Sequence, residues 1–529
     1  MSPRTAVLAK PKRQSQKTAS APSPSAKIKT IAELAEILDQ ARQAGRRIVL
    51  CHGVFDLLHP GHILHFREAR KQGDLLVVTL TPDHLVRKGP GRPLFNQRLR
   101  LETIAALADV DYAALNDAPT AVEAIQRLKP HVYVKGSDYA NATQDVTGKI
   151  LDEQQAVEAV GGRIFFTDEE TFSSSHLINR FFSAYPEPTQ KYLQTIRSRF
   201  SADQVIDALR TLADVRVLVV GEAILDQYCY CIPMGKSPKE TIVSTRFSTE
   251  EHFAGGSLAI ANHLAGFCRE VTLITALGTE SEATRLIRSK LRPNVRLKAL
   301  TVDGRPTITK RRYLEPNFLT KMFEVQYLND APISDAAEAE VQRRLEAELE
   351  GHDFVVTADF GHGLMTEQLR EFVSSTGKFL ALNTQSNSAN LGFNPVTKYR
   401  RADFVCIDEP ELKLAAGSQY GDIQQHAARV RGRLHADVFL VSRGPRGSMI
   451  ISDREPLVET PALATKVVDR TGAGDALFAV TSPCAFRGFP LDMVGFIGNC
   501  VGSLAVEIVC NRDPVDPILL YKFITTLLK

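Results

Sequence analysis

Residues Asp469 to Ala476 read D-R-T-G-A-G-D-A, and the apolar run A-L-F-A-V carries on from Ala476 to Val480. A glycine turn that opens a buried helix gathers backbone N–H groups and the positive end of the helix dipole at one point. That point favours an anion. Asp475 stands just inside the turn, where a carboxylate can take the proton of a hydroxyl that attacks a phosphoryl group. A short Gly-rich run alone is as often a simple helix cap. Here the flanks argue for a phosphate site, because residues 463–468 (L-A-T-K-V-V) read as a strand and the apolar run as a buried helix.

A second stretch of this kind lies far upstream. Residues 48–62 read I-V-L-C-H-G-V-F-D-L-L-H-P-G-H, an apolar strand that runs through Gly53, Phe55 and Asp56 into a helix start. His59 and His62, separated by Pro60-Gly61, can turn to one ligand and donate to phosphate oxygens as charge develops there. The competing readings are a metal site or two surface histidines. No third His, Cys or carboxylate follows at ligand spacing, which disfavours the metal.

The chain has 529 residues, more than one hydrophobic core usually serves, so two or more domains are expected. Residues 1–27 hold Arg4, Lys10, Lys12, Arg13, Lys17 and Lys27 and no acid, among Ser, Pro and Ala. This composition predicts a disordered basic tail. The tail has no aromatic residue for stacking on bases, and the net charge is only +3, so nucleic-acid binding is not expected. No window is apolar enough to cross a membrane. The eight cysteines are scattered, which suits a reduced, cytoplasmic protein.

Strands and helices alternate twice along the chain. In 28–183, strands near 47–51, 74–80, 110–114, 131–134 and 163–167 are separated by helices, with a last helix over 174–183. Residues 184–205 hold Pro186, Pro188 and a polar helical stretch and read as a linker. In 206–529, strands near 216–221, 271–276, 353–357, 378–382, 403–407 and 437–441 alternate with helices. Residues 227–247 read as two or three short strands of a separate small layer. Such alternation implies parallel sheets with helices on both faces, hence two doubly wound α/β domains. The His motif would fall at the carboxyl end of the first strand, where these sheets bind ligands.

Residues 28–183 resemble the small nucleotidyltransferases that join a nucleoside monophosphate to a sugar or alcohol phosphate. The resemblance rests on G-V-F-D-L-L-H-P-G-H (53–62), R-K-G (87–89), N-Q-R (96–98), V-K-G-S-D-Y (134–139) and S-S-S-H-L-I (173–178). It implies a Rossmann-like fold with His59 and His62 on the triphosphate. Lys88 and Arg98 would neutralise phosphate, and Ser173, Ser174 and Ser175 would close over the nucleotide. Gly53, Phe55 and Asp56 would line the same site. Residues 206–529 resemble the ribokinase family of sugar kinases, through G-E-A-I-L-D-Q-Y (221–228), A-G-G (254–256), P-T-I-T-K (306–310), S-R-G-P-R-G (442–447) and the D-R-T-G-A-G-D run. This implies a ribokinase-like fold with a small β-lid. Asp226, Gly255, Gly256 and Asn262 would meet the sugar, and Ser442, Gly444 and Gly447 the nucleotide. Gly472, Ala473 and Gly474 would form the anion hole, with Asp475 as base. Asp408 and Glu411 would support Mg²⁺ through water.

Together the two parts resemble the bifunctional heptose-phosphate kinase and nucleotidyltransferase, in reversed order. The expected cofactors are ATP, a nucleoside triphosphate (ATP or CTP) and Mg²⁺. The expected partner is a sugar phosphate, and a homodimer is anticipated. Four departures stand out. Ala259 holds the place of a sugar-gripping asparagine, and Asp408-x-x-Glu411 replaces Asn-x-x-Glu. Asn383-Thr384-Gln385 replaces Asp-Pro-Lys, and His362 holds the place of a lysine. The lost lysines leave a second reading open, in which only the nucleotidyltransferase works and the kinase-like part binds a ligand or dimerises.

Overall fold

The computed structural model describes residues 23–86, 91–136, 149–167 and 185–529. It divides into two compact units, with the boundary between residues 174 and 175.

The first unit is built on five parallel strands, β1 (Ile48–Gly53), β2 (Leu75–Leu80), β3 (Tyr112–Leu115), β4 (Val132–Gly136) and β5 (Arg163–Thr167), in the order β3-β2-β1-β4-β5. β2 is buried along its whole length, as expected of a strand covered on both faces. One face packs Leu34, Leu38, Ile125 and Leu128, the other Phe66, Leu101 and Ile104. The chain runs from β1 to one side through β2 and β3, then crosses to β4 on the other side. The carboxyl ends of β1 and β4 therefore flank the crevice where such sheets take ligands. The expected tail is shorter than 1–27. Residues Pro24–Lys27 form a helical turn, and Lys27 Nζ donates to the carbonyls of Leu107 (2.9 Å) and Val110 (2.8 Å). The part before residue 23 lies outside the described residues, as do 87–90, 137–148 and 168–184.

The second unit carries a nine-stranded sheet and a four-stranded one. The large sheet uses β6 (Arg216–Gly221), β9 (Glu270–Leu277), β10 (Val295–Thr301), β13 (Phe354–Asp359), β14 (Phe379–Thr384), β15 (Phe404–Asp408), β16 (Val438–Ser442), β17 (Ser448–Ser452) and β18 (Val458–Thr460). Their order is β10-β9-β6-β13-β14-β15-β16-β17-β18, and β17 and β18 form an antiparallel edge. The switch point lies between β6 and β13. The small sheet has the order β12-β11-β7-β8, with β7 (Ala223–Lys236), β8 (Val243–Gly256), β11 (Thr309–Glu315) and β12 (Thr320–Tyr327). The two or three short strands expected over 227–247 are instead parts of the long strands β7 and β8, each 14 residues. Their first and last halves differ in burial, so one strand serves the core and the lid in turn.

One further expectation fails here. Residues 463–468, read as a strand, form an irregular approach to the glycine turn, because β18 already ends the sheet at Thr460. Residues 185–205 are largely helical, as their polar stretch suggested, and they are also packed. They contain helices Glu187–Arg199 and Ala202–Arg210, with Leu193, Ile196, Val205, Ile206 and Leu209 buried. Arg197 Nε reaches the Leu527 carbonyl at 2.8 Å. The prolines that suggested a break stand at the first turn of the helix, where a missing N–H costs little.

Candidate active sites

In the first unit β1 delivers Gly53 to the crevice. A Cβ there would come within 2.9 Å of the Phe55 ring, so the close approach needs glycine. Phe55 takes φ +48°, which turns its ring onto His62 (centroids 5.4 Å) and Phe66 (5.1 Å). His59 caps the helix Pro60–Arg70, and its ring stacks on that of His62 with centroids 3.9 Å apart. Burial pushes the His59 imidazole down, which favours its neutral form. The two stacked rings can present N–H donors to one phosphate. His65, on the same helix, bonds Thr167 at 2.9 Å and is pushed down to about 4 by burial and by Lys135. Lys135, at the end of β4, pairs with Glu153 at 2.8 Å.

Asp56 and Arg98 have other work. Asp56 accepts from the amides of Leu94 (2.6 Å) and Phe95 (3.2 Å) and lies 3.5 Å from Arg92, so it anchors the loop before helix Gln97–Ala105. Arg98 is exposed and pairs along the helix with Glu102 at 2.9 Å. The buried cation of that helix is Arg100, two residues on. It donates to the Phe95 and Thr81 carbonyls and to Asp83. Two helical steps separate a solvent face from a core face, and the N-Q-R motif does not show which residue turns inward. Lys88, Ser173 and Ser174 lie outside the described residues, as does Ser175.

In the second unit the D-R-T-G-A-G-D run does open a helix, Ala473–Phe486. Gly472 takes φ +85°, and a Cβ there would meet Asn511 Oδ1 at 2.0 Å. The first intrahelical bond runs from Ala476 N to the Gly472 carbonyl, so the amides of Gly474 and Asp475 lie ahead of the helix ladder. A Cβ at Gly474 would meet nothing within 4 Å, so open space lies beside these amides. Asp475 is pushed up to about 7, by burial first and then by Asp226, against the pull of Lys310. Those three groups therefore share one small region. Asp226 pairs with Arg312 at 2.5 Å, and Arg312 also holds Glu324 at 2.7 Å. Burial pushes the Lys310 ammonium down while Asp226 and Asp475 oppose it. A carboxyl titrating near neutrality, beside a cation and a second carboxylate, suits a general base.

Gly255 and Gly256 end β8. A Cβ on Gly255 would strike Asp226 Oδ2 at 2.0 Å, so the glycine leaves room for that carboxylate. Asn262, expected at the sugar, is placed elsewhere. Its amide donates to the Lys290 carbonyl (2.9 Å) and accepts from Arg292 N (3.0 Å), which pins a turn. Asp408 and Ser442 are register partners at the carboxyl ends of β15 and β16. Gly444 and Gly447 bend the next turn with φ +56° and +82°, and a Cβ on Gly447 would overlap the Thr460 carbonyl at 1.9 Å. Asp408 and Glu411 form a capping box, each side chain accepting from the other's amide at 2.8 Å. Glu411 is pushed up to about 8 by burial and by Asp408, with Asp475 adding to it, and Asp408 is pushed up by burial. Crowded carboxyls with lone pairs to spare suit a hard divalent cation held through water. Among the described residues no group of three His, Cys, Asp or Glu stands ready to chelate a metal directly.

One hub was not singled out in the sequence. Asp469 accepts from Tyr228 OH (2.6 Å), Thr471 N (3.1 Å) and Cys510 N (3.1 Å), and pairs with Lys321 of β12 at 2.8 Å. Burial would raise its carboxyl, but Lys321, Tyr228 and the Thr471 amide outweigh that and hold it at about 2. The lid strands are thereby tied to the glycine turn.

Two doubly wound units with such sites define a transferase, and the comparisons with known proteins agree. Residues 215–513 match the pfkB family carbohydrate kinases, and residues 50–180 match the cytidylyltransferase-like family. The chain belongs to the pfkB family of carbohydrate kinases and carries a cytidylyltransferase-like unit before it. It is similar to the Bifunctional protein HldE of Syntrophotalea carbinolica, 38% identical over 164 residues, which are 30% of this chain and 32% of that protein. The Bifunctional protein HldE of Geobacter metallireducens is 39% identical over 165 residues, 31% of this chain and 32% of that protein. The matched segment thus spans about a third of these relatives. A solved structure of Arabidopsis thaliana ribokinase complexed with ribose and ATP covers 60% of this chain and 99% of its own, at 20% identity and TM-score 0.44. Among the described residues no helix is long and apolar enough to cross a membrane.

Proposed function

We propose that the protein makes a nucleotide-activated, heptose-like sugar in two steps. The C-terminal unit transfers the γ-phosphoryl of ATP to a hydroxyl of a sugar phosphate. The N-terminal unit then joins a nucleoside monophosphate from ATP or CTP to the sugar-1-phosphate and releases pyrophosphate. The observation that carries the first step is Asp475, at about 7, beside Asp226 and Lys310 at an open helix N-terminus. Asp226 orients the acceptor hydroxyl and Asp475 takes its proton as the oxygen bonds to phosphorus and the bond to ADP breaks. The amides of Gly474 and Asp475 face the charge on the moving phosphoryl group. Asp408 and Glu411 would hold Mg²⁺ through water, and the ion would neutralise phosphate charge there. Lys310 balances the two carboxylates.

In the N-terminal unit a phosphate oxygen of the sugar-1-phosphate attacks the α-phosphorus, and the bond to pyrophosphate breaks. This in-line displacement needs positioning and charge neutralisation and no covalent intermediate. His59 and His62 supply donors to the oxygens that gain charge. Lys88, Ser173, Ser174 and Ser175 complete the nucleotide site in this reading. The protein works in the cytoplasm as a homodimer, without a nucleic-acid partner. The unit boundary supports separable activities, so a chain cut between residues 174 and 185 is expected to give two folded, active fragments. Incubation with sugar phosphates and each nucleoside triphosphate, followed by product mass, tests the whole scheme. The transferase-only reading draws support from His362 in the lysine place. It requires that no acceptor be phosphorylated while a supplied sugar-1-phosphate is still activated.

A further inference from the structure

A cavity lies past the carboxyl ends of β6, β9 and β13, beside the switch point of the large sheet. Its walls are mostly apolar, from Leu277, Ile308, Ile333 and Leu364, and its polar edge is formed by Glu222, Arg305 and His362. His362 is 1% exposed, and neither ring nitrogen has a hydrogen-bond partner. A buried imidazole with two idle nitrogens is costly unless a ligand group or an ordered water completes it. The other polar groups are already engaged. Glu222 accepts from the amides of Phe360 (2.8 Å), His362 (3.1 Å) and Leu364 (3.3 Å). Arg305 donates to the carbonyls of Asn329, Ala331 and His362. The ring lies close enough to Lys310 to feel its charge, and Lys310 in turn faces Asp226 and Asp475. Its wall residue Ile308 accepts from the Leu225 amide, so the cavity lies beside the strand pair that carries Asp226 and Lys310.

We propose that His362 is a specificity residue of the C-terminal unit, hydrogen-bonding a neutral hydroxyl on the carbon chain of the acceptor sugar. This rests on the kinase reading above. An anion is a poor match for the cavity, since it would meet the buried Glu222 carboxyl. Burial, with Lys310 nearby, pushes the imidazole down to about 4, so the ring brings no cation at neutral pH. A neutral imidazole both donates and accepts, which is the pattern of a hydroxyl. A phosphate on the acceptor must then lie away from this cavity.

The test uses the full chain loaded with a non-hydrolysable ATP analogue and Mg²⁺, with D-mannose and D-mannose 6-phosphate as probes. Calorimetry gives affinity, and ¹H–¹⁵N spectra of the imidazole, assigned by its loss in His362→Asn, report the ring. The expected result is a His362 signal that shifts on sugar saturation. His362→Phe is expected to weaken sugar binding about tenfold while leaving ATP-analogue binding unchanged, and His362→Asn, which keeps a hydrogen-bonding group, to recover part of the loss. For turnover, KM for the sugar rises more than kcat falls. If sugar binds and is lost in Asp226→Asn, but the His362 signal stays still or His362→Phe binds normally, the proposal is wrong and the kinase reading stands. If neither probe binds the loaded wild-type chain, the kinase reading falls and the proposal with it.

Discussion

At His59–His62 the groups proposed to meet phosphate are side chains one helical turn apart, stacked with centroids at 3.9 Å. At Gly472–Asp475 the helix start supplies mainly backbone, and its chemistry comes from Asp226 on β7 and from Lys310 and Arg312 on β11. The first site lowers the pKa of an imidazole by burial, and the second raises that of a carboxyl by burial and a like charge. Burial thus disfavours the charged form at both sites, in an imidazole proposed to donate a hydrogen bond and in a carboxyl that must ionise to accept a proton. A local site stands or falls with one short segment. An assembled site depends on the lid strands that bring distant residues to it.

The sharpest break of this comparison is His59→Ala or His62→Ala. Each is expected to cut pyrophosphate release by roughly 10²–10³-fold, the scale of one lost transition-state donor, with phosphoryl transfer untouched. Turnover per folded molecule, measured beside thermal unfolding, decides. A lower melting temperature with catalysis preserved would mean that the pair only caps the helix. Asp475→Asn should cost at least ~10²-fold in phosphoryl transfer and nothing in nucleotidyl transfer from a supplied sugar-1-phosphate.

The same carboxyl sets a pH dependence. In the free enzyme kcat/KM for phosphoryl transfer is expected to climb with pH and level off above about 7, because the base must be ionised. The stability sign is opposite. Its folded pKa is raised, so the folded state loses stability as pH rises from the ordinary carboxylate range through about 7. Asp475→Asn should therefore melt higher than wild type at pH 8 and alike at pH 3. A profile already flat from pH 5 would remove Asp475 as the base.

Lys321→Met probes the long-range assembly. Asp469 would keep its buried charge without its cation, a loss of about 1–2 kcal/mol, between the values of exposed and buried pairs. Denaturant unfolding at pH 7 measures it. The Asp469 carboxyl is depressed to about 2, so its contribution is complete at pH 7 and fades as pH falls from about 4 through 2. The mutant should show a smaller fade, since Tyr228 and the Thr471 amide still hold the carboxylate. The smallest effect is expected at Arg98→Ala, within about 0.5 kcal/mol in stability and without change in nucleotidyl transfer. A large loss there would return Arg98 to the phosphate site.

The local signals in the sequence determined a good deal. Gly53, Phe55, His59 and His62 lie within ten positions, so strand, turn and helix chemistry place them together without help from afar. Gly472 and Asp475 are fixed in the same way by a turn that only glycine allows. The alternation of strands and helices likewise announced two largely parallel sheets. What only the tertiary structure decided is which distant side chains arrive. Asn262 and Arg98 had the right chemistry and face elsewhere, whereas Arg100 and Lys310 turn inward. Asp469 ties together segments more than 200 residues apart in sequence. Such pairings depend on sheet order and on which face of a strand or helix is buried. Neither leaves a mark on the residues that happen to be neighbours along the chain.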